Sequence, residues 1–295
     1  MSPRSGALPP ARTLQTGSGR LSYMISGRGP SILLFSGAGV SMAGWRPLYP
    51  AIERLGTVFA WNRFGMQGSD APAARQDGAL VLGALREMLA HTRVQPPYVL
   101  VAHSLGGLYA NLFARRYPQE VSGVLLLEAT HPDDRGVLRK HENQLVRAPG
   151  RVLELPQRLF QRNVHAELQS VDRLAREVVT AGPFPAVPLR VVTGGLTPRA
   201  WMLSPGAIGA KRAHQQELAR LSPMGQQVIA HKSGHFPQLT EPDLVLDVLG
   251  ELVEACATGV QRAAGLNLVR VIAGSTRNPS GRSTLAAMDP GSSPG

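Results

Sequence analysis

The chain has a single cysteine, Cys256, in 295 residues. No internal disulfide can form, which excludes a disulfide-stapled scaffold and suits a reducing compartment. Cys256 stands between Ala255 and Ala257 near the end of a helical stretch, so it reads as a buried structural thiol, not a reactive one. Long apolar runs are also missing, and none approaches the roughly 20 residues a membrane-spanning helix needs. Met1 to Arg20 is rich in Pro, Gly, Ser and Arg and has no apolar stretch of the kind found in secretion signals. The expectation is a cytoplasmic protein without a membrane span. Lysine is scarce: Lys140, Lys211 and Lys232 are the only ones, so arginine carries most of the net charge of +11. The arginines are scattered instead of gathered into a stripe, so the charge reads as a solvated surface with no nucleic-acid partner. There are no internal repeats and no P-loop.

What is present is material for a large core, with 43% of residues hydrophobic and 17% charged. At this length the chain holds one large α/β domain or two small ones. Leu21–Ile25, Ile32–Phe35, Thr57–Trp61, Tyr98–Ala102 and Val121–Leu127 read as strands. Helical stretches at Trp45–Leu55, Gly78–His91 and Leu105–Tyr117 alternate with them. The continuous apolar run Val121–Leu127 is typical of a strand covered on both faces. This rhythm predicts a doubly wound, mostly parallel sheet with right-handed crossovers.

The rhythm breaks at His131. An amphipathic helix follows, with Val164, Leu168, Val171, Leu174 and Val178 on one face, before Leu189–Thr193, Gln227–Ala230 and the helix Asp243–Ala257 resume the pattern. The expected organisation is a flexible N-terminus over 1–18, an α/β core over 19–130 and 189–258, a helical cap over 131–188, and a disordered tail over 259–295.

Candidate chemistry starts at Ala102-His103-Ser104-Leu105-Gly106-Gly107, between a strand and a helix. A serine there stands on a sharp turn at the carboxyl end of a parallel sheet, and small neighbours relieve the strain. The Leu105 N–H, at the helix start, would face a developing oxyanion. Ser36-Gly37-Ala38-Gly39 follows an earlier strand, where a second oxyanion donor is needed, and Ala38 is the candidate. His235 follows Gly234 late in the chain, and histidine exchanges protons near neutral pH. A carboxylate is then wanted between Ser104 and His235. Glu128, directly after an apolar strand, is the first choice and Asp133 the second.

At these residues the chain resembles the α/β-hydrolase fold superfamily, from about Gly19 to Ala257. The likeness rests on the Gly37-Ala38-Gly39 turn, the loop Asn62-Arg63-Phe64-Gly65 to Gly68-Ser69, the elbow at Ser104, and Ser233-Gly234-His235-Phe236. It is closest to small bacterial esterase-like members with a helical cap before the seventh strand. It implies an eight-stranded sheet and a serine hydrolase cleaving carboxylic esters of small to medium acyl chains, without a cofactor. Lactonase, thioesterase, amidase and C–C bond hydrolase chemistry use the same triad, and a poorly catalytic ligand-binding member is the alternative from another class. Relatives usually carry Asp at position 62 and often His at position 36, where this chain has Asn62 and Ser36. Many also hold the acid after the seventh strand, but no Asp or Glu occurs here between Glu177 and Glu217.

Competing readings of the same residues are weaker. His231 and His235 share a four-residue spacing that binds zinc on a helix, but Gly234 and the preceding strand argue against a helix. Gly37-Ala38-Gly39 hints at a dinucleotide turn, yet Met42 stands where that motif wants a small residue. His103 reads as a packing residue, and His131, His141 and His165 as surface histidines. The oligomeric state is left open.

Overall fold

The computed structural model describes residues 7–72, 76–136, 164–197 and 204–275, with the side chains of 164–166 and of 259 onward excluded. Met1–Ala257 forms one compact unit and Thr258–Gly295 a second. The strands are β1 (Arg12–Thr16), β2 (Gly19–Ser26), β3 (Ser31–Phe35), β4 (Thr57–Trp61), β5 (Tyr98–His103), β6 (Val121–Leu127), β7 (Leu189–Gly194) and β8 (Gly225–Ala230). They form one eight-stranded sheet in the order β1-β2-β4-β3-β5-β6-β7-β8. β1–β2 and β2–β4 pair antiparallel, and every pairing from β4–β3 to β7–β8 is parallel. The helices are α1 (Tyr49–Ile52), α2 (Gly78–Thr92), α3 (Gly106–Arg116), α4 (Val164–Thr180), α5 (Pro205–Ala219), α6 (Pro237–Thr240) and α7 (Pro242–Ser275).

The central strands are buried on both faces, and their side chains divide between two cores by strict alternation. Leu33, Phe35, Phe59, Leu100 and Leu126 point to the face that packs residues of α2, α3 and α4. Ile32, Leu34, Val58, Val99 and Leu125 point to the other, against Trp45, Tyr49, Val245, Leu249 and Leu252. Helix starts follow local chemistry. Asp77 caps α2 by accepting the Leu80 N–H, and Ser204 caps α5 by accepting that of Ala207, with Pro205 in the first turn.

The sheet begins earlier than expected. Arg12–Thr16, inside the stretch read as flexible, is a strand paired with β2 through a tight turn in which Gly19 takes φ +130°. Leu14 is its only large apolar residue, so cross-strand pairing orders it, not hydrophobic pattern. The last helix runs to Ser275, past the expected start of the disordered tail at 259. Much of the expected cap, 137–163, lies outside the described residues, as does 276–295. Within the expected cap, α4 buries Val171, Leu174 and Val178 as its periodicity requires, but Leu168 is 45% exposed. Its buried neighbour is Glu167, because that carboxylate reaches an arginine in the core.

Cys256 is buried as expected, and its thiol donates to the Ser122 carbonyl across 3.2 Å. A Cβ on Gly123 would stand 2.5 Å from Cys256 Sγ and 3.1 Å from Leu252 Cδ1. Gly123→Ala is expected to cost roughly 1–3 kcal/mol from overpacking. Cys256→Ala in the same chain should relieve part of that cost, with a coupling of roughly 0.5–3 kcal/mol in urea unfolding of the four proteins. Strictly additive effects would contradict the contact.

Candidate active site

Two neighbouring parallel strands end in backbone that L-residues seldom adopt. Ser104, just after β5, has φ +51°, and Glu128, just after β6, has φ +44°. The register pairs His103 with Leu127, so the serine and the carboxylate leave adjacent strand ends side by side. Backbone bonds hold both: Ser104 N–H donates to Leu127 O at 3.2 Å, Glu128 N–H to Val192 O at 2.9 Å, and Thr130 N–H to Ser104 O at 3.0 Å. The glycines after the serine are sterically required. A Cβ on Gly106 would lie 2.3 Å from Phe35 O, and one on Gly107 2.5 Å from Ala129 Cβ.

The histidine arrives from the far side of the sheet. After β8 the chain turns at Lys232-Ser233-Gly234, where Glu241 Oε2 accepts from Lys232 N at 2.8 Å and from Ser233 Oγ at 2.6 Å. The turn lies so close to β7 that a Cβ on Gly194 would meet Gly234 O at 2.3 Å. His235 Nε2 then stands 3.0 Å from Ser104 Oγ, with Nδ1 3.5 Å from Glu128 Oε2. With Nδ1–H facing the carboxylate, bare Nε2 can accept the serine proton. Ser104, His235 and Glu128 are therefore brought together. Asp133 is not: it is exposed, and its backbone N–H donates to His131 Nδ1.

Glu128 is shared. Its Oε1 accepts the Gly194 N–H at 2.8 Å, and its Oε2 accepts from Lys211 Nζ at 2.8 Å, a shorter contact than the one with His235. Burial alone would push the carboxyl up. The hydrogen bond from His235 and the charge and hydrogen bond of Lys211 outweigh it and hold the group at about 2. Lys211 was not foreseen; as one of only three lysines, six residues into a helix that begins inside the acid-free stretch, it carried no local signal.

His103 is buried, as a packing residue should be, but it also supports the site: its Nε2–H donates to the His235 carbonyl at 2.8 Å. Burial, followed by the neighbouring His235, pushes its pKa down to about 3, so the ring is neutral. The two positions that depart from the resembled pattern are each hydrogen-bonded through their side chains. Asn62 Oδ1 accepts from Met42 N at 2.6 Å while Nδ2 donates to Gln67 O at 2.6 Å, a pairing that an aspartate could not complete. Ser36 Oγ accepts the Trp45 indole N–H at 3.0 Å.

At the Ser36–Gly39 turn, Gly37 leaves room for the neighbouring elbow, since a Cβ there would meet His103 Nδ1 at 3.0 Å and Ser104 Cβ at 3.3 Å. The Ala38 and Leu105 N–H groups have no acceptor among the described residues. The turn is gripped from below by Arg63, whose partner is Glu167. Beside His235 and Glu128 a small recess of about 80 Å³ has walls from Leu196 and Ile208 and an edge from Lys211 and Arg212. A larger recess of about 380 Å³, lined by Arg135, Asp172, Arg176 and Val179 among others, includes none of Ser104, His235 or Glu128.

His131, His214 and Glu217 place ligand-type atoms within 4.8 Å of one another. Their hydrogen bonds already define them. His131 Nδ1 accepts from Asp133 N, which leaves its proton on Nε2, 3.4 Å from Glu217 Oε2. His214 Nδ1 is 2.6 Å from Asp134 Oδ1. A metal on His131 Nε2 would have to displace that proton and break the Asp133 contact. His131 is thus no surface histidine: its side chain is 12% exposed and stacks on His214. His141 and the side chain of His165 lie outside the described residues.

The family model of the alpha/beta hydrolase fold matches residues 30–186. An uncharacterized protein of Schizosaccharomyces pombe is 43% identical over 72 residues, which is 24% of this chain and 14% of that protein. Among the curated relatives the matched part spans from 14% to 40% of their own length. A haloalkane dehalogenase loop variant from Bradyrhizobium elkanii superposes with a TM-score of 0.65 at 17% identity, covering 86% of this chain and 99% of that one. A thermophilic esterase from Thermogutta terrifontis gives 0.57 at 20% identity, covering 84% and 99%. At these identities the structural likeness shows the fold. No helix among the described residues is long and apolar enough to cross a membrane.

The low pKa of Glu128 has a signed consequence for stability. Its folded value, about 2, lies below the ordinary 4.5, so the ionised carboxylate stabilises the fold above the ordinary value and that contribution fades as pH falls towards the folded one. The unfolding free energy of wild type minus that of Glu128→Gln, measured in urea, is expected to shrink between about pH 5 and about pH 2. Parallel profiles across that window would contradict the assignment.

Proposed function

The chain belongs to the alpha/beta hydrolase fold family, and we propose that it is a serine hydrolase cleaving carboxylic esters of small to medium acyl chains through an acyl-enzyme. The observation that carries this reading is the 3.0 Å approach of His235 Nε2 to Ser104 Oγ on a left-handed turn at the sheet's carboxyl edge. His235 takes the proton as Ser104 Oγ attacks the ester carbonyl. The negative charge moves to the carbonyl oxygen, where the N–H groups of Leu105 and Ala38 receive it. Collapse expels the alcohol, which takes the proton back from His235. Water, deprotonated by the same imidazole, then attacks the acyl-enzyme and releases the acid. Glu128 fixes the Nδ1–H tautomer and stabilises the imidazolium.

Ester cleavage is favoured over halide displacement, although a dehalogenase shares the fold. A serine alkoxide attacking an alkyl halide would leave an ether, which water and histidine cannot cleave. Lactones, thioesters, amides and activated C–C bonds present the same electrophilic carbonyl and belong to the same reading. One observation favours a second reading, a ligand-binding protein that turns over poorly: Lys211 takes the closer position on Glu128, at 2.8 Å against 3.5 Å for His235.

Hydrolysis of p-nitrophenyl esters from acetate to dodecanoate, by wild type and folded Ser104→Ala, separates these readings. The expected result is a loss of roughly 10⁴-fold or more in kcat for the variant, as for other nucleophile deletions. Equal activity in the two proteins would remove Ser104 as the nucleophile. Binding of an ester by wild type without turnover would favour the second reading.

A further inference from the structure

The deepest ion pair among the described residues does not touch Ser104, His235 or Glu128. Arg63 and Glu167 are 3% and 0% exposed, and their ion pair is 2.6 Å long. Burying two charges costs several kcal/mol per ion, so such a pair is weak evidence of added stability. What it holds is more informative. Arg63 Nη1 donates to Ser36 O at 2.7 Å, Nη2 to Gly37 O at 2.8 Å, and Nε to Glu167 Oε1. The second carboxylate oxygen, Oε2, accepts the Gly39 N–H at 2.8 Å. Tyr109 closes the far face of the guanidinium, with its ring centroid 5.3 Å away.

These contacts bracket one residue. A peptide group is planar and trans, so its C=O and the following N–H point in opposite directions. Gripping Gly37 O therefore fixes where the Ala38 N–H points. Gripping the Gly39 N–H fixes the next plane, and holding Ser36 O fixes the one before. Both planes that flank Ala38 are held by a single ion pair, while the Ala38 N–H has no acceptor among the described residues.

We propose that Arg63 and Glu167 are positioning residues for the reaction: the pair locks the peptide planes on either side of Ala38 and so aims its N–H at the developing oxyanion. Because Glu167 belongs to the first turn of α4, the lock also makes the oxyanion donor depend on the seating of that helix. This rests on the reading of Ser104 as nucleophile and Ala38 as oxyanion donor. Glu167→Gln is the sharpest probe. A carboxamide offers one acceptor and one donor, but it would face two donors, Arg63 Nε–H and Gly39 N–H, so one contact must turn repulsive.

The experiment measures kcat and KM on a p-nitrophenyl ester, the inhibition constant of a trifluoromethyl ketone that forms a tetrahedral oxyanion adduct, and Tm, for wild type, Ser104→Ala, Glu167→Gln and Arg63→Lys. In the positioning variants kcat is expected to fall roughly 10- to 100-fold with KM within about twofold. Ketone affinity should fall by the same factor as kcat, a parallel that a merely structural defect would not produce. Should Glu167→Gln fail to fold, the double variant Arg63→Met/Glu167→Met leaves no unpaired buried charge and is expected to show the same losses. Unchanged kcat and ketone affinity in a folded variant, with Ser104→Ala inactive, would overturn the positioning role alone. Full activity in Ser104→Ala would overturn the reading beneath it, and the positioning role with it.

Discussion

The register of β5 against β6 is the constraint on which the site depends. Pairing His103 with Leu127 places two strand ends level, and each chain then turns through left-handed backbone, at φ +51° and +44°. For residues other than glycine this conformation is strained, and it persists only where the surroundings over-determine it. Here they do. The Ser104 and Glu128 N–H groups are bonded to the neighbouring strands, and Gly106 and Gly107 sit where any side chain would strike Phe35 O or Ala129. A one-residue slip between these strands would separate Ser104 from Glu128 and turn the slipped strand's side chains to the opposite face.

Around this edge, charge is buried in pairs, and each pair sets a direction. The hydrogen bond from His235 and the charge and hydrogen bond of Lys211 keep Glu128 ionised against the cost of its burial; a carboxylate so close to an imidazole has to stay charged to stabilise its protonated form. Lys211 and His235 share one oxygen, so the same cation that keeps the acid charged also competes for it. Arg63 and Glu167 direct their hydrogen bonds to the backbone of one turn and to each other. Neutral His103 does related work without charge, holding the loop that carries His235.

Much of this was legible in the sequence because its signals are local. Continuous apolar runs mark strands covered on both faces, a serine between a strand and a paired glycine marks the elbow, and Glu128 stands out as the acid directly after such a run. What was not legible depends on partners far away in the chain. β1 is ordered by its hairpin mate, with only Leu14 as a hydrophobic cue. Helical periodicity assigned Leu168 to the core, but the buried place went to Glu167, whose partner lies 104 positions away. Lys211 meets Glu128 across 83 positions, and His131 meets His214 through a junction that no spacing rule describes. The chain from 259 onward was expected to be disordered, although the helix continues to Ser275.

Carrying the carboxylate on β6 changes what selection can act on elsewhere. In an arrangement with the acid after β7, that segment must preserve both a charge and its aim. Here β7 ends in Gly194, which contributes only a backbone N–H to Glu128, and the half-exposed Leu196 beyond it forms a wall of the recess beside His235. Under the proposed function, substitutions after β7 can therefore reshape that wall without moving Glu128, so substrate preference and catalytic competence can drift as separate traits.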